Sequence, residues 1–173
     1  MSLRTAVLLF SLLGVPLAAG AASSAGVEWS EWRKDGADVR KGVFAVTDSS
    51  CAYAVMADPV LMSRVIPHLE GVVVHRSEGN FQDLTLTERF FPVGVVESRY
   101  HRTVDGVGRL EWKLIEGQQK KHDGFWQVDP TGRVTFQNAL APKSALHRLL
   151  LRGIQVRAME GVADAVREHC TNQ

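Results

Sequence analysis

The residues best suited to chemistry sit on one short stretch, Glu97-Ser98-Arg99-Tyr100-His101-Arg102. Successive side chains of a strand point to opposite faces, so Ser98, Tyr100 and Arg102 share one face and Glu97, Arg99 and His101 the other. With the first face turned inward, Tyr100 and Arg102 are hydrogen-bond donors for the polar head of a ligand. The competing reading is a polar outer face with one snorkelling arginine. General acid–base work needs a positioned pair in a closed pocket. Tyr100 with Glu88 or Glu111 would supply one, although no spacing demands it. Histidines stand at 68, 75, 101, 122, 147 and 169. None forms an i, i+4 metal pair with another, and His101 and His122 are the two that neighbouring strands would bring together. There is no G-x-S-x-G, no phosphate-binding glycine loop and no H-E-x-x-H. No catalytic residue, metal or cofactor is assigned on these grounds.

The elements that must position these residues follow from periodicity. A strand is expected at 39–47, with Val43 and Phe44 near its centre. Ser49 or Ser50 would cap a short helix through Met56, and Asp58-Pro59 breaks it and opens a second, closed by Pro67. Six strands are expected next, at 71–78, 81–91, 95–104, 109–116, 123–129 and 133–141. The breaks between them are short and turn-like, which forces antiparallel neighbours. Leu84 and Leu86 share a face, as do Leu110, Trp112 and Leu114, then Trp126 and Val128, then Val134 and Phe136. From Ser144 to about Cys170 the pattern is helical, with Leu146, Leu149, Leu150, Ile154, Ala158, Val162 and Val166 on one face.

The first residues read as an export signal. Arg4 precedes an apolar run from Thr5 to Leu17, followed by small residues with an A-x-A site at Ala19-Gly20-Ala21. The run falls short of the ~20 apolar residues a membrane-spanning helix needs. Cleavage after Ala21 would place the protein in the periplasm or outside the cell. The expected organisation is a signal peptide over 1–21, a lead-in over 22–38 and one domain over 39–173. The whole chain carries 20 basic and 19 acidic residues. Such a balance gives no electrostatic footprint for nucleic acid, so no nucleic-acid partner is expected. Export also means an oxidising compartment, where an even cysteine count, Cys51 and Cys170, favours a disulfide.

A seven-stranded sheet with one long helix must curl to bury both apolar faces. One helix does not fill a curled sheet, and the space left over is an apolar cavity. Its expected lining is Leu84, Leu86, Trp112, Leu114, Trp126, Phe136, Leu150 and Ile154, with Tyr100 and Arg102 as polar anchors. Lys143, Arg148 and Arg152 flank a leucine run at the start of the last helix, a combination suited to transient contact with an anionic membrane.

The stretch Phe44-Ala-Val, then Ala54-Val-Met-Ala-Asp58-Pro, then Val65-Ile-Pro67 resembles the opening of the START-like, or SRPBCC, superfamily, which includes the polyketide cyclases. Gly124-Phe-Trp126-Gln-Val128-Asp-Pro130, followed by Gly132-Arg-Val134-Thr-Phe136, is similar to its late hairpin. The resemblance spans about 39–170. It implies an α+β helix-grip fold, in which a curved seven-stranded antiparallel sheet wraps a long C-terminal helix, with two short helices after the first strand. In that arrangement the short helices cradle the far end of the long one, which brings Cys51 toward Cys170. The function expected is that of a carrier or binding protein for a hydrophobic small molecule or lipid. A cavity enzyme of the cyclase or dehydratase type, and an interaction module without a ligand, are the alternatives, because fold alone does not settle function.

Overall fold

A computed structural model describes residues 26–172. The leader expected over 1–21 lies outside them, and so do the side chains of 145–147 and 149–152. The chain opens with β1 (Glu28–Lys34) and β2 (Ala37–Ala45), then α1 (Ser49–Ala57) and α2 (Pro59–Val65). Next come β3 (Leu69–Glu78), β4 (Phe81–Phe90), β5 (Gly94–Val104), β6 (Arg109–Glu116), β7 (Gln119–Val128) and β8 (Arg133–Pro142), and α3 (Ala145–Thr171) ends the fold. The strands form one open, antiparallel sheet in the order β1-β2-β8-β7-β6-β5-β4-β3. The fold is the helix grip, with eight strands among the described residues instead of the expected seven.

The additional strand is β1, in the segment read as a lead-in. It pairs with β2 along its whole length, from Glu28 opposite Val43 to Lys34 opposite Ala37. Asp35 and Gly36 both adopt positive φ, 51° and 75°, as a tight hairpin with the right-handed twist requires. The sheet thus begins at Glu28, and Asp35-Gly36 is a hairpin turn within it. β7 also starts earlier than expected, at Gln119.

Two aspartates set the helices. Asp48, rather than Ser49 or Ser50, caps α1 by accepting from the Cys51 amide at 2.9 Å. Asp58 ends α1 by donating its amide to the Ala54 carbonyl, and its side chain caps α2 through the Val60 and Leu61 amides. Pro59 fills the first helical position, where no amide hydrogen is needed. The pair of helices carries the chain from β2 to β3 at the far edge of the sheet.

Curvature comes from breaks in register, at Leu69/Gly71 and Val74/Arg76 in β3, at Leu114/Glu116 in β6 opposite Arg99 and Tyr100, and at Gln119/Lys121 in β7. Such bulges bend a strand and increase its twist. β6 and β7 pair only from Arg109–Trp112 to Gly124–Gln127 and then part. Past that point the Asp123 carboxylate accepts from the Leu114 amide at 3.2 Å, in place of a partner strand's carbonyl.

The core lies where α1 and the C-terminal half of α3 meet the concave face. Ala52 and Val55 of α1 and Ala163 and Val166 of α3 are fully buried there with Phe44, Trp126 and Phe136. Trp126 and Phe136 stack at 5.6 Å, and the Phe44 ring meets both edge-on. Fully burying an aliphatic or aromatic side chain stabilises by roughly 1.5–3 kcal/mol. Cys51 and Cys170 form a disulfide, Cα atoms 5.7 Å apart, which ties α1 to the end of α3.

Candidate functional site

The concave face carries every second residue of each strand, and α3 lies across it. Between them is a cavity of about 210 Å³ with a mostly apolar wall. Of the residues proposed from sequence, Leu86, Tyr100, Arg102, Trp112, Trp126, Phe136 and Ile154 line it. Leu84 and Leu114 do not. Leu84 is completely buried and is spent on packing, while Leu114 lies close to Gly117 where β6 leaves β7. The Leu150 side chain lies outside the described set.

Two glycines shape the aromatic floor. A Cβ at position 124 would stand 2.4 Å from Trp112 Cζ2, and one at position 42 would stand 2.4 Å from Phe136 Cζ. With glycine at both places, these rings lie flat against the backbone of the neighbouring strand.

β5 turns Ser98, Tyr100 and Arg102 inward, all three buried. The Tyr100 hydroxyl is 2.8 Å from His122 Nδ1, and both groups face the cavity. Desolvation raises the Tyr100 phenol well above its ordinary range, with the charge of Glu88 adding to the effect. Desolvation also lowers the His122 imidazole, against the opposing pull of Glu88 and Asp123. Both groups are therefore neutral at pH 7. Glu88 lines the same wall, 3.4 Å from His68 Nε2.

Arg102, two residues further along the same face of β5, sits against α1 and α2. One Nη donates to the Met56 carbonyl and the other touches Met62 Sδ at 4.0 Å. Burial pushes its guanidinium down to about 10, so it still carries charge at neutral pH. Among the described residues no carboxylate forms an ion pair with it.

The other sequence candidates separate. His101 is on the convex face against the Phe81 ring and does not meet His122. Glu111 is also outward, paired with Arg109, so of the two acids considered for Tyr100 only Glu88 shares its cavity. The basic cluster at the start of α3 is partly turned onto the fold itself. Lys143 Nζ donates to the Gly117 carbonyl at 2.9 Å, and Arg148 stands 3.4 Å from the Asp38 carboxylate. The Arg152 side chain lies outside the described set, and membrane contact through these residues gains no support. Among the described residues no helix is long and apolar enough to cross a membrane, and no three potential metal ligands cluster.

Sequence reasoning missed His122, Asn138, Gln155, Met56 and Met62 on the cavity wall. The signal for the first two was present. His122 is in phase with Trp126, and Asn138 with Phe136, at the two-residue period of a strand. The methionines and Gln155 carry no such pattern.

A curved sheet wrapped around a long helix, with an interior cavity apolar on most sides, defines a helix-grip domain of the START-like superfamily. The family described as polyketide cyclase / dehydrase and lipid transport matches residues 48–167, and the chain belongs to it. No curated protein sequence matches the chain. Among solved structures, an aromatase/cyclase from Streptomyces sp. R1128 is similar with a TM-score of 0.69 at 13% identity, over 84% of this chain and 94% of that one. A START superfamily protein from Mycobacterium smegmatis gives 0.67 at 10% identity, over 78% and 97%. A STAR-related lipid transfer protein from Xanthomonas axonopodis gives 0.62 at 18% identity, over 83% and 98%. At these identities the likeness is one of fold.

Proposed function

We propose that the protein is an exported carrier or binding protein for a hydrophobic, lipid-like molecule held between the sheet and α3. The observation that carries this reading is the cavity itself, an apolar interior space under α3 that the protein's own side chains leave open. Leu86, Trp112, Trp126, Phe136 and Ile154 form the apolar wall, and Tyr100 and Arg102 the polar anchors. A disulfide and a leader-like N-terminus support export to the periplasm or beyond, with cleavage near Ala21. The test is titration with Nile red, a neutral polarity-sensitive dye, together with native mass spectrometry of protein purified from an exporting host. Micromolar binding that is lost in Ile154→Trp, a variant that fills the cavity, supports the reading. Absence of binding, with no copurified apolar molecule, overturns it. Intact mass tests export: a chain that still begins at Met1 or Ser2 rules out the cleaved, soluble form.

The Tyr100–His122 contact favours a second reading, a cavity enzyme. A neutral imidazole beside a phenol is a competent proton-transfer pair for a bound ketone or alcohol. Turnover of a ligand recovered from the protein, abolished in Tyr100→Phe and His122→Asn, distinguishes this enzyme from a carrier.

A further inference from the structure

The sheet carries a seam between β6 and β7. A short turn at Gly117-Gln118 joins these strands, yet they form no ladder pair beyond Trp112 and Gly124. Each keeps its other neighbour: β6 stays with β5 as far as Glu116, and β7 stays with β8 from Gln119 onward. Side chains cross the seam instead. On the inner side the Tyr100 hydroxyl meets His122 Nδ1 at 2.8 Å. Between the strands Asp123 accepts from the Leu114 amide at 3.2 Å, and Lys143 Nζ holds the turn through the Gly117 carbonyl at 2.9 Å. Open space lies on both sides. Inside, Trp112, Gln118, Gln119 and His122 line the cavity. Outside, Lys113, Lys121, Asp123 and Phe125 line a second pocket of about 520 Å³ on the convex face, with Trp32 of β1 also on its wall. Trp112 lines both spaces. A Cβ at position 124 would meet that ring, so at the fork the partition is one indole against glycine backbone.

We propose that this seam is a portal, the route by which an apolar molecule passes between the outer pocket and the cavity, with the Tyr100–His122 and Leu114–Asp123 contacts as its clasps. The inference rests on the ligand-binding reading above and names how that site is reached. Peeling one strand from another normally gives up a row of backbone hydrogen bonds. Here the row ends at Trp112 and Gly124, and the segments beyond it part without breaking any ladder. What must yield is a pair of side-chain bonds, each modest in net strength because water replaces the lost partner. Burial keeps Tyr100 and His122 neutral, so their separation leaves no bare charge at the cavity wall. Lys121 and Asp123, 3.6 Å apart, are partly exposed and keep their solvent when the seam widens. Elements held by few ladder bonds open locally well before the whole domain unfolds. The rings of Trp32 and Phe125 outside and of Trp112 at the fork offer an apolar molecule surfaces to rest on during passage.

The experiment bridges the seam in the full chain. Lys113→Cys and Lys121→Cys put one thiol on each side of it, and a short bis-maleimide joins them. The chain's own two cysteines are bonded to each other, so the introduced thiols are the ones that react. Stopped-flow fluorescence follows Nile red entering and leaving. The expected result is that bridging slows association and release alike, by about tenfold or more, with the dissociation constant unchanged. The two single-cysteine variants, capped with N-ethylmaleimide, exchange dye at the wild-type rate. Asp123→Ala, which removes one clasp, speeds both steps by about threefold, again at constant affinity. Thermal unfolding verifies that each protein is folded; if the bridged one is not, Asp123→Ala decides. Wild-type exchange rates in the bridged protein overturn the portal, as does equal slowing in a capped single variant. Unchanged rates in Asp123→Ala overturn the clasp and, where that variant decides alone, the portal. Tight dye binding with rates indifferent to the seam leaves the carrier reading standing and removes only this inference. If the wild type binds no Nile red, both fail together.

Discussion

The Tyr100 hydroxyl and His122 Nδ1 stand 2.8 Å apart inside the cavity, on strands that are not neighbours in the sheet. β6 lies between β5 and β7, and Leu114 is the residue opposite Tyr100. The contact is possible because β6 and β7 part beyond Trp112 and Gly124, so that β7 leans its His122 toward β5. A phenol and an imidazole that bridge a gap in a sheet both stabilise the gap and place two polar groups on the cavity wall.

Desolvation holds the His122 pKa below its ordinary value. The unfolded chain therefore protonates this residue near pH 6.5, while the folded chain resists. The associated stability is complete above that pH and is lost as pH falls through it toward the folded value. Between pH 6.5 and 5.5 the loss is at most about 1.4 kcal/mol. Urea unfolding at the two pH values measures it, and His122→Asn is expected to show a smaller difference between them than the wild type.

Arg102 tethers the end of α1 to the sheet through the Met56 carbonyl. Arg102→Ala removes that bond, strands a buried carbonyl and opens a hole. A loss of about 2–4 kcal/mol in stability is expected, with weaker Nile red binding. Paired chemical unfolding and dye titration separate the two effects. A variant as stable as the wild type would show that the tether carries no weight.

The Cys51–Cys170 disulfide spans a sequence separation of 119 residues. In the loop-entropy treatment such a closure stabilises by about 4–5 kcal/mol, and often less in practice. Cys51→Ser with Cys170→Ser is expected to lower the melting temperature sharply while leaving the sheet intact. Thermal unfolding with and without reductant tests this: the reductant should reproduce the double variant.

Gly124→Ala is expected to destabilise by about 1–3 kcal/mol, because the new methyl would meet the Gln137 carbonyl at 2.1 Å and Trp112 at 2.4 Å. Trp112 must then leave the floor, so ligand affinity falls with stability. Near-ultraviolet circular dichroism, which reports tryptophan packing, should change. An unaltered spectrum would mean that the ring does not depend on this glycine.

What could be read along the chain was whatever depends on neighbours in sequence. The alternation of Leu110 with Trp112, and of Trp126 with Val128, identified strands and their inner faces, because a strand's side chains alternate whatever it pairs with. Asp58-Pro59 marked the break between helices because capping and the missing proline amide are local effects. The inward turn of Tyr100 and Arg102 was one of only two possibilities. What tertiary structure decided was every relation between distant elements. β1 carries weak alternation, and its place in the sheet comes from pairing with β2. Leu84 and Leu86 have the same pattern, yet only Leu86 reaches the cavity, because curvature and bulges determine how far along a strand the open space runs. Glu88 and Glu111 were equal as partners for Tyr100 until the register put one inside and the other outside. The meeting of His122 with Tyr100, and of Arg40 with Gln155, depends on which elements lie side by side and where they part. Those are long-range contacts set by the packing of the whole sheet on α3, and no local propensity encodes them.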